Sequence, residues 1–202
     1  MQQTQVAQAA RILMQYQVDW IADKSQVKIM EKSRRIGISY AEAADDVLYA
    51  ASAEGANVYY ISYNKEMTSG FIQDCATWAR AFNAAASQIE ESVIEEEDKQ
   101  ILTYTIKFDS GNMIQAFTSS PRNLRSKGRP GERLVVDEGA FLDDIKEVLK
   151  AAMAMTMWGG QIRIISTHNG DDNPFNELIN DVRAGRYPYS LHRVDFDDAL
   201  RD

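Results

Sequence analysis

Residues 27–39 read VKIMEKSRRIGIS, an apolar run that breaks into a polar turn carrying a lysine, two arginines, one glycine and a hydroxyl. Val27 to Met30 reads as a short strand. Beyond the turn Ala44, Leu48 and Ala51 mark the inner face of a helix that Gly55 ends. Upstream, Val6, Ala9, Ile12, Leu13, Tyr16 and Trp20 recur at helical spacing and predict an amphipathic helix over about residues 4–22. Downstream, Val58 to Ser62 is a second strand. Met67, Phe71, Cys75, Trp78 and Phe82 then repeat at the spacing of another helix, completing a βαβα run.

The segment ILTYTIKF alternates two faces, turns at Asp109-Ser110-Gly111-Asn112 and returns as MIQAF, the pattern of a β-hairpin. Leu134 to Val136 and Ile162 to Ile165 are instead nearly continuous apolar strands, of the kind that helices bury on both faces. The expected fold is a three-layer α/β domain with a mostly parallel central sheet plus a β-hairpin. Such sheets bind ligands outside the carboxyl ends of their strands, which directs attention to the residues after Met30, Ile61, Val136 and Ile165.

Composition narrows the chemistry. The 202 residues, 45% apolar and 26% charged, suit one soluble domain. No apolar run approaches the roughly 20 residues that span a bilayer, and MQQTQVAQAA lacks the basic-then-apolar layout of a secretion signal, so a cytosolic setting without membrane contact is expected. Cys75 is the only cysteine and His168 and His192 the only histidines, which excludes an internal disulfide and a Cys/His zinc cage. A net charge of −8 argues against nucleic-acid binding by bulk electrostatics. The charge is unevenly spread: EESVIEEED, residues 90–98, holds six carboxylates, whereas Arg122, Arg125, Lys127, Arg129 and Arg133 oppose Glu132 alone.

The turn Lys32-Ser33-Arg34-Arg35-Ile36-Gly37-Ile38-Ser39 has what a phosphate needs: main-chain N–H groups at a helix start, a flexible cation, and a hydroxyl able to hold Mg²⁺. It breaks the pattern G-x-x-x-x-G-K-[ST] twice, because Glu31 or Lys32 stands near the first glycine position and Ile38 replaces the lysine. A solvated basic turn is the alternative. Asp137-Glu138 closes a buried strand about 100 residues later, where an Asp can hold Mg²⁺ and a Glu can take a proton from an attacking water. An acidic cap for the next helix would also place carboxylates there. Ser166-Thr167-His168-Asn169 follows the last apolar strand, and His168 gains weight only from that position.

Taken in order, these segments resemble the large terminase subunits of tailed phages, the ATP-driven motors that package DNA into proheads, and most of all the Mu-type branch. Tyr16-Gln17 with Trp20 resembles the family's adenine-recognition motif, and residues 32–39 are similar to its deviant Walker A, in which the lysine moves to the start of the loop. Asp137-Glu138 is like Walker B, and Ser166-Thr167-His168 resembles the coupling motif; Pro121-Arg122-Asn123-Leu124-Arg125 and the basic loop after it are also similar. The resemblance implies an ASCE, RecA-like P-loop NTPase fold in which the coupling-motif strand lies between the Walker A and Walker B strands.

It further implies ATP and Mg²⁺ as cofactors. Lys32 would neutralise phosphate, Ser39 and Asp137 hold Mg²⁺, and Glu138 activate water; Ser33, Arg34, Arg35, Gly37 and Ile38 complete the loop. Tyr16 and Gln17 would bind adenine, although Tyr16 packing against Trp20 is an equal alternative. Arg34 or Arg35 in cis, or Arg125 or Arg129 from a neighbouring subunit, would meet transition-state charge, with the basic loop expected near Asp137. Ser166, Thr167 and His168 would sense the γ-phosphate. The implied partners are double-stranded DNA, the portal protein, the small terminase subunit and further copies of the chain in a ring on the prohead, or none when isolated as a monomer, in the host cytoplasm. Residues 1–194 would be the ATPase domain and 195–202, with Asp195, Asp197 and Asp198, the start of a linker to the family's nuclease, whose activity is not expected here. A module that binds ATP with little turnover, and another P-loop DNA motor such as a helicase, are the rival readings.

Overall fold

A computed structural model of the chain describes residues 12–96, 99–118 and 129–201. Helix α1 (Gln15–Ala22) leads into β1 (Val27–Lys32), α2 (Ile38–Ala51), β2 (Val58–Ile61) and α3 (Lys65–Ala81). Strands β3 (Glu90–Glu96), β4 (Lys99–Lys107) and β5 (Met113–Phe117) follow. The chain continues with β6 (Arg133–Asp137), α4 (Ile145–Thr156), β7 (Gln161–Ser166), α5 (Pro174–Arg183), β8 (Ser190–Val194) and α6 (Phe196–Arg201). All strands join one sheet in the order β3-β4-β5-β2-β6-β7-β1-β8. From β5 to β8 every pairing is parallel, while β4 pairs antiparallel with both β5 and β3. The predicted hairpin is β4-β5. As expected, β7 lies between β1 and β6.

Strand alternation divides the core into two layers. Val27, Ile29, Leu134, Val136, Ile162 and Ile164 face α4 and α5 with Val148, Met155, Phe175 and Ile179. Met30, Tyr60, Val135 and Ile165 face the other way, packing with Trp20, Ala44, Val47, Phe71 and Trp78 of α1, α2 and α3. Lys28, Arg133 and Arg163 fall on this second face of three adjacent strands and are buried. Helix α2 answers with Glu42, Asp45 and Asp46, also buried. Arg133 Nη1 lies 2.9 Å from Asp45 Oδ2 and 2.6 Å from Asp46 Oδ1, with its guanidinium 4.3 Å from the Tyr49 ring centroid. Lys28 donates to the Trp20 carbonyl at 2.6 Å and Trp20 Nε1 to Glu42 Oε2 at 2.5 Å. Burial depresses the Arg133 pKa, but Asp46, Asp45 and Glu42 outweigh it and hold the group above its ordinary value. Burial raises Asp46 well above the carboxylate range, and the charge of Glu42 adds to it.

This cluster corrects the expected inner face of α2. Ala44 is buried but Leu48 is 50% exposed, because the helix turns its carboxylates rather than its leucine toward the strand bases. The acidic EESVIEE segment is a β-strand, and Asp195 and Asp198 cap α6 reciprocally: Asp198 N donates to Asp195 Oδ1 at 2.8 Å and Asp195 N to Asp198 Oδ2 at 3.1 Å. The basic loop was expected near Asp137. Its described end instead lies at the amino ends of the strands, where Gly131 N donates to the Gly159 carbonyl at 3.3 Å and Arg133 N to the Asn57 carbonyl at 2.9 Å. Arg129 is thus at the opposite sheet edge from Asp137. The first part of the amphipathic helix, residues 1–11, and Pro121 to Gly128, including Arg122, Arg125 and Lys127, lie outside the described residues.

Removing the hub of the buried cluster strands three carboxylates, so Arg133→Met is expected to lower stability in urea unfolding by about 3–5 kcal/mol, and Asp46→Asn added to it should recover part of the loss. Lys28 supplies a pH signature. Burial lowers its pKa to about 8, so the folded protein releases this proton before the unfolded chain does. Between that value and the unfolded lysine pKa the unfolded state binds more protons, and stability rises with pH. The stability of the parent should therefore increase from pH 8 to 10 relative to Lys28→Met, by on the order of 2 kcal/mol; parallel curves would contradict the assignment.

Candidate functional site

The carboxyl ends of β1, β7 and β6 form one edge, with Glu31 beside Ser166 and Asp137 beside Ile165 in the parallel registers. Lys32 leaves β1 and Glu138 follows β6, two strand spacings or roughly 10 Å apart. Their side chains close that gap above the end of β7. Lys32 Nζ lies 2.5 Å from Glu138 Oε1, and the two side chains are only 6% and 12% exposed. The other carboxylate oxygen accepts from Thr167 N at 3.1 Å and Thr167 Oγ1 at 3.3 Å. Glu138 reaches this position because its backbone turns left-handed at φ 50 and ψ 43, a strained conformation for a residue with a β-carbon.

Asp137 is wholly buried and held by three donors. Ser39 Oγ and Tyr60 OH both donate to Oδ2, at 2.6 and 2.9 Å, and Glu138 N donates to Oδ1 at 2.9 Å. Burial raises its pKa, while Lys32 and the hydroxyl donors pull it back. Among the described residues no group of three or more His, Cys, Asp or Glu side chains could form a metal cage. A Mg²⁺ ion needs less, because it keeps most of its ligands as water and phosphate oxygens. Ser39, giving its hydrogen to Asp137 and keeping its lone pairs, together with that carboxylate, fits such an ion.

The turn between them is built by its main chain. Arg35 has φ 60 and Gly37 φ 74, and α2 starts at Ile38 without a side-chain cap, so the first N–H groups of the helix suit an anion. Ile36 and Ile38 are buried in the core, which leaves Ile38 only its backbone to offer a ligand. Tyr16 OH donates to the Ile36 carbonyl at 2.6 Å and Gln17 Nε2 to the Gly37 carbonyl at 2.9 Å, so both side chains brace the turn. Ser33 N donates to the Val194 carbonyl of β8 at 3.0 Å.

Lys32, Ser39, Asp137, Glu138, Ser166 and Thr167 thus meet at one edge, with Tyr16 and Gln17 behind the turn. Ser166 Oγ accepts from Ala140 N at 3.0 Å, and Asn169 and Asn173 donate to the Ala140 carbonyl at 3.1 and 2.8 Å, pinning the turn after Glu138. His168 turns aside: its Nε2 is 2.7 Å from Glu31 Oε1, and Arg183 pairs with the other Glu31 oxygen. Arg34 and Arg35 are exposed, and the Arg34 guanidinium lies 5.8 Å from the Phe141 ring centroid. Tyr60 and Asn173 were not singled out by the sequence, and Glu31 entered only as a departure from the first glycine position. Tyr60 sits in the apolar run VYYI, and nothing in that pattern shows a carboxylate beside it.

No family model matches the chain. The Mu-like prophage FluMu protein gp28 of Haemophilus influenzae is 55% identical over 194 residues, covering 95% of this chain and 38% of that protein. The probable terminase large subunit gp28 of Escherichia phage Mu is 48% identical over 198 residues, covering 95% and 35%. The chain therefore spans little more than a third of the length of these curated relatives. Among solved structures, the large terminase ATPase domain of Thermus phage P74-26 superposes with a TM-score of 0.63 at 15% identity, over 94% of this chain and 83% of that one. The large terminase of another thermophilic bacteriophage, solved in complex with ADP, gives 0.60 at 15% identity, over 94% and 47%. At these identities the likeness shows the fold.

A β-carbon on Gly37 would stand 2.8 Å from Gln17 Nε2, whereas one on Gly185, at the same φ of 74, would meet nothing within 4 Å. Gly185→Ala should carry only the left-handed strain, about 1 kcal/mol, and Gly37→Ala a further loss from displacing Gln17. Equal losses in urea unfolding would show that the Gln17 brace contributes nothing.

Proposed function

Because the chain belongs to the large terminase subunit family of Mu-like phages, we propose that it is the ATPase unit of a DNA-packaging motor, hydrolysing ATP to drive double-stranded DNA into a prohead. The observation that carries this reading is the juxtaposition of the Lys32–Glu138 pair with the Ser39–Asp137 pair at an uncapped helix start. A triphosphate entering there would draw Lys32 onto its β and γ oxygens, which releases Glu138. The freed carboxylate, still oriented by Thr167, is then placed to position the attacking water and accept its proton. Mg²⁺, held by Ser39 and Asp137, would supply charge neutralisation on the phosphate oxygens. The thermophilic phage terminase solved with ADP supports nucleotide binding by this fold.

Tyr16 and Gln17, adjacent to the loop they brace, are the residues proposed beside adenine. Arg34 or Arg35 would meet charge in cis, with Arg125 of a neighbouring copy as the trans alternative. Thr167 and Ser166 contact Glu138 and the turn after it, so they, more than His168, would report loss of the γ-phosphate. The proposed partners remain the portal protein, the small subunit and further copies of the chain, in the host cytoplasm. No helix among the described residues is long and apolar enough to cross a membrane.

Phosphate release and nucleotide binding measured together test this reading. Lys32→Ala should lose both. Ile38→Val should keep both, because the Ile38 side chain is core. Glu138→Gln should retain ATP while turnover falls by about 10²-fold or more. Binding without turnover in the parent, with and without double-stranded DNA, would favour the interaction-module reading instead.

A further inference from the structure

Tyr60 is wholly buried at the centre of β2, yet its hydroxyl is committed to the site. It donates to Asp137 Oδ2 at 2.9 Å, sharing that oxygen with Ser39 Oγ at 2.6 Å, while Glu138 N occupies Oδ1. The register places Tyr60 opposite Val135 on β6, so its ring reaches past Val136 to the residue that ends the strand. The ring itself is fixed from behind by Phe71 of α3, stacked at a centroid distance of 3.7 Å and an interplanar angle of 9°. A phenol in an apolar layer is costly unless its hydroxyl is satisfied, and a phenylalanine would pack on Phe71 equally well. What the hydroxyl adds is a donor to the carboxylate that does not come from the phosphate loop.

We propose that Tyr60, braced by Phe71, is the positioning residue of the cation site: it holds the Asp137 carboxylate in the orientation that receives Mg²⁺. The inference rests on the nucleotide-hydrolysis reading and adds a residue to it. Ser39 serves both the cation and Asp137, so its bond to the carboxylate changes whenever the loop moves. The Tyr60 bond comes from the sheet and α3. It keeps the carboxylate plane fixed while loop and ligand rearrange.

The test follows binding of a fluorescent ATP analogue as Mg²⁺ is titrated, without need of turnover. In Tyr60→Phe the half-saturating Mg²⁺ concentration should rise about tenfold, the loss expected for one hydrogen bond to a charged group, while affinity in EDTA stays at the parent value. Phe71→Leu keeps the hydroxyl but loosens the ring and should shift the Mg²⁺ midpoint at least twofold the same way. It carries the test alone should Tyr60→Phe not fold. A purely structural role would lower the melting temperature and leave the midpoint unchanged. A midpoint within twofold of the parent in folded Tyr60→Phe, or an unshifted one in Phe71→Leu where that variant stands alone, overturns the proposal. If the parent itself shows no Mg²⁺-dependent binding, the nucleotide reading fails, and Tyr60 loses its role with it.

Discussion

The ion pair between Lys32 and Glu138 is possible only because of what lies between its partners. They leave strands that do not touch, and β7 separates them. The side chains can meet above β7 because that strand ends in Ser166 and is followed by Thr167, two small polar residues that line the gap instead of filling it. Sheet order, the small residues of the β7 end and the left-handed backbone at Glu138 are therefore parts of one constraint: a cation and a carboxylate from distant sequence must share a dry edge. Each partner satisfies the other, and Thr167 holds the oxygen that Lys32 does not.

The same sheet face carries a second ionic system one layer deeper. Lys28, Arg163 and Arg133 rise from the strands β1, β7 and β6 that end in the site; Arg133 pairs with the carboxylates of α2, whereas Lys28 donates to the Trp20 carbonyl and Arg163 to main-chain carbonyls and Gln161. Helix α2 is thus gripped along its length by charge and at its start by Ser39 and the Gln17 brace. Buried ion pairs contribute little net stability beside a well-packed apolar core, but they tolerate few alternative alignments. A register slip of one residue would take Arg133 away from Asp45 and Asp46 and leave all three groups buried without their partners. The geometry between Ser39 and Asp137 depends on that alignment.

Much of this was legible in the sequence. The βαβα run, the hairpin and the two apolar strands follow from periodicity, and the residues after Met30, Val136 and Ile165 do converge at one edge. The rest was hidden for physical reasons. Leu48 reads as core because hydrophobic pattern assumes that helices bury apolar side chains, whereas α2 buries Glu42, Asp45 and Asp46 against bases whose strand neighbours cannot be known beforehand. Strand β3 is disguised by its carboxylates, which an edge strand can present to water. Tyr60 reads as one more apolar strand residue until β6 is set beside β2. The Asp195-to-Asp198 cluster reads as the start of a linker, and only the reciprocal cap bonds show that it starts a helix.

The proposed hydrolysis requires Lys32 to be the cation for phosphate despite its place at the start of the loop. The most direct measurement is a structure of this chain with a non-hydrolysable ATP analogue and Mg²⁺. In that structure the Lys32 ammonium should lie within about 3 Å of β- or γ-phosphate oxygens, with its contact to Glu138 broken. A bound analogue with Lys32 still paired to Glu138, and its phosphates neutralised by other side chains, would contradict it.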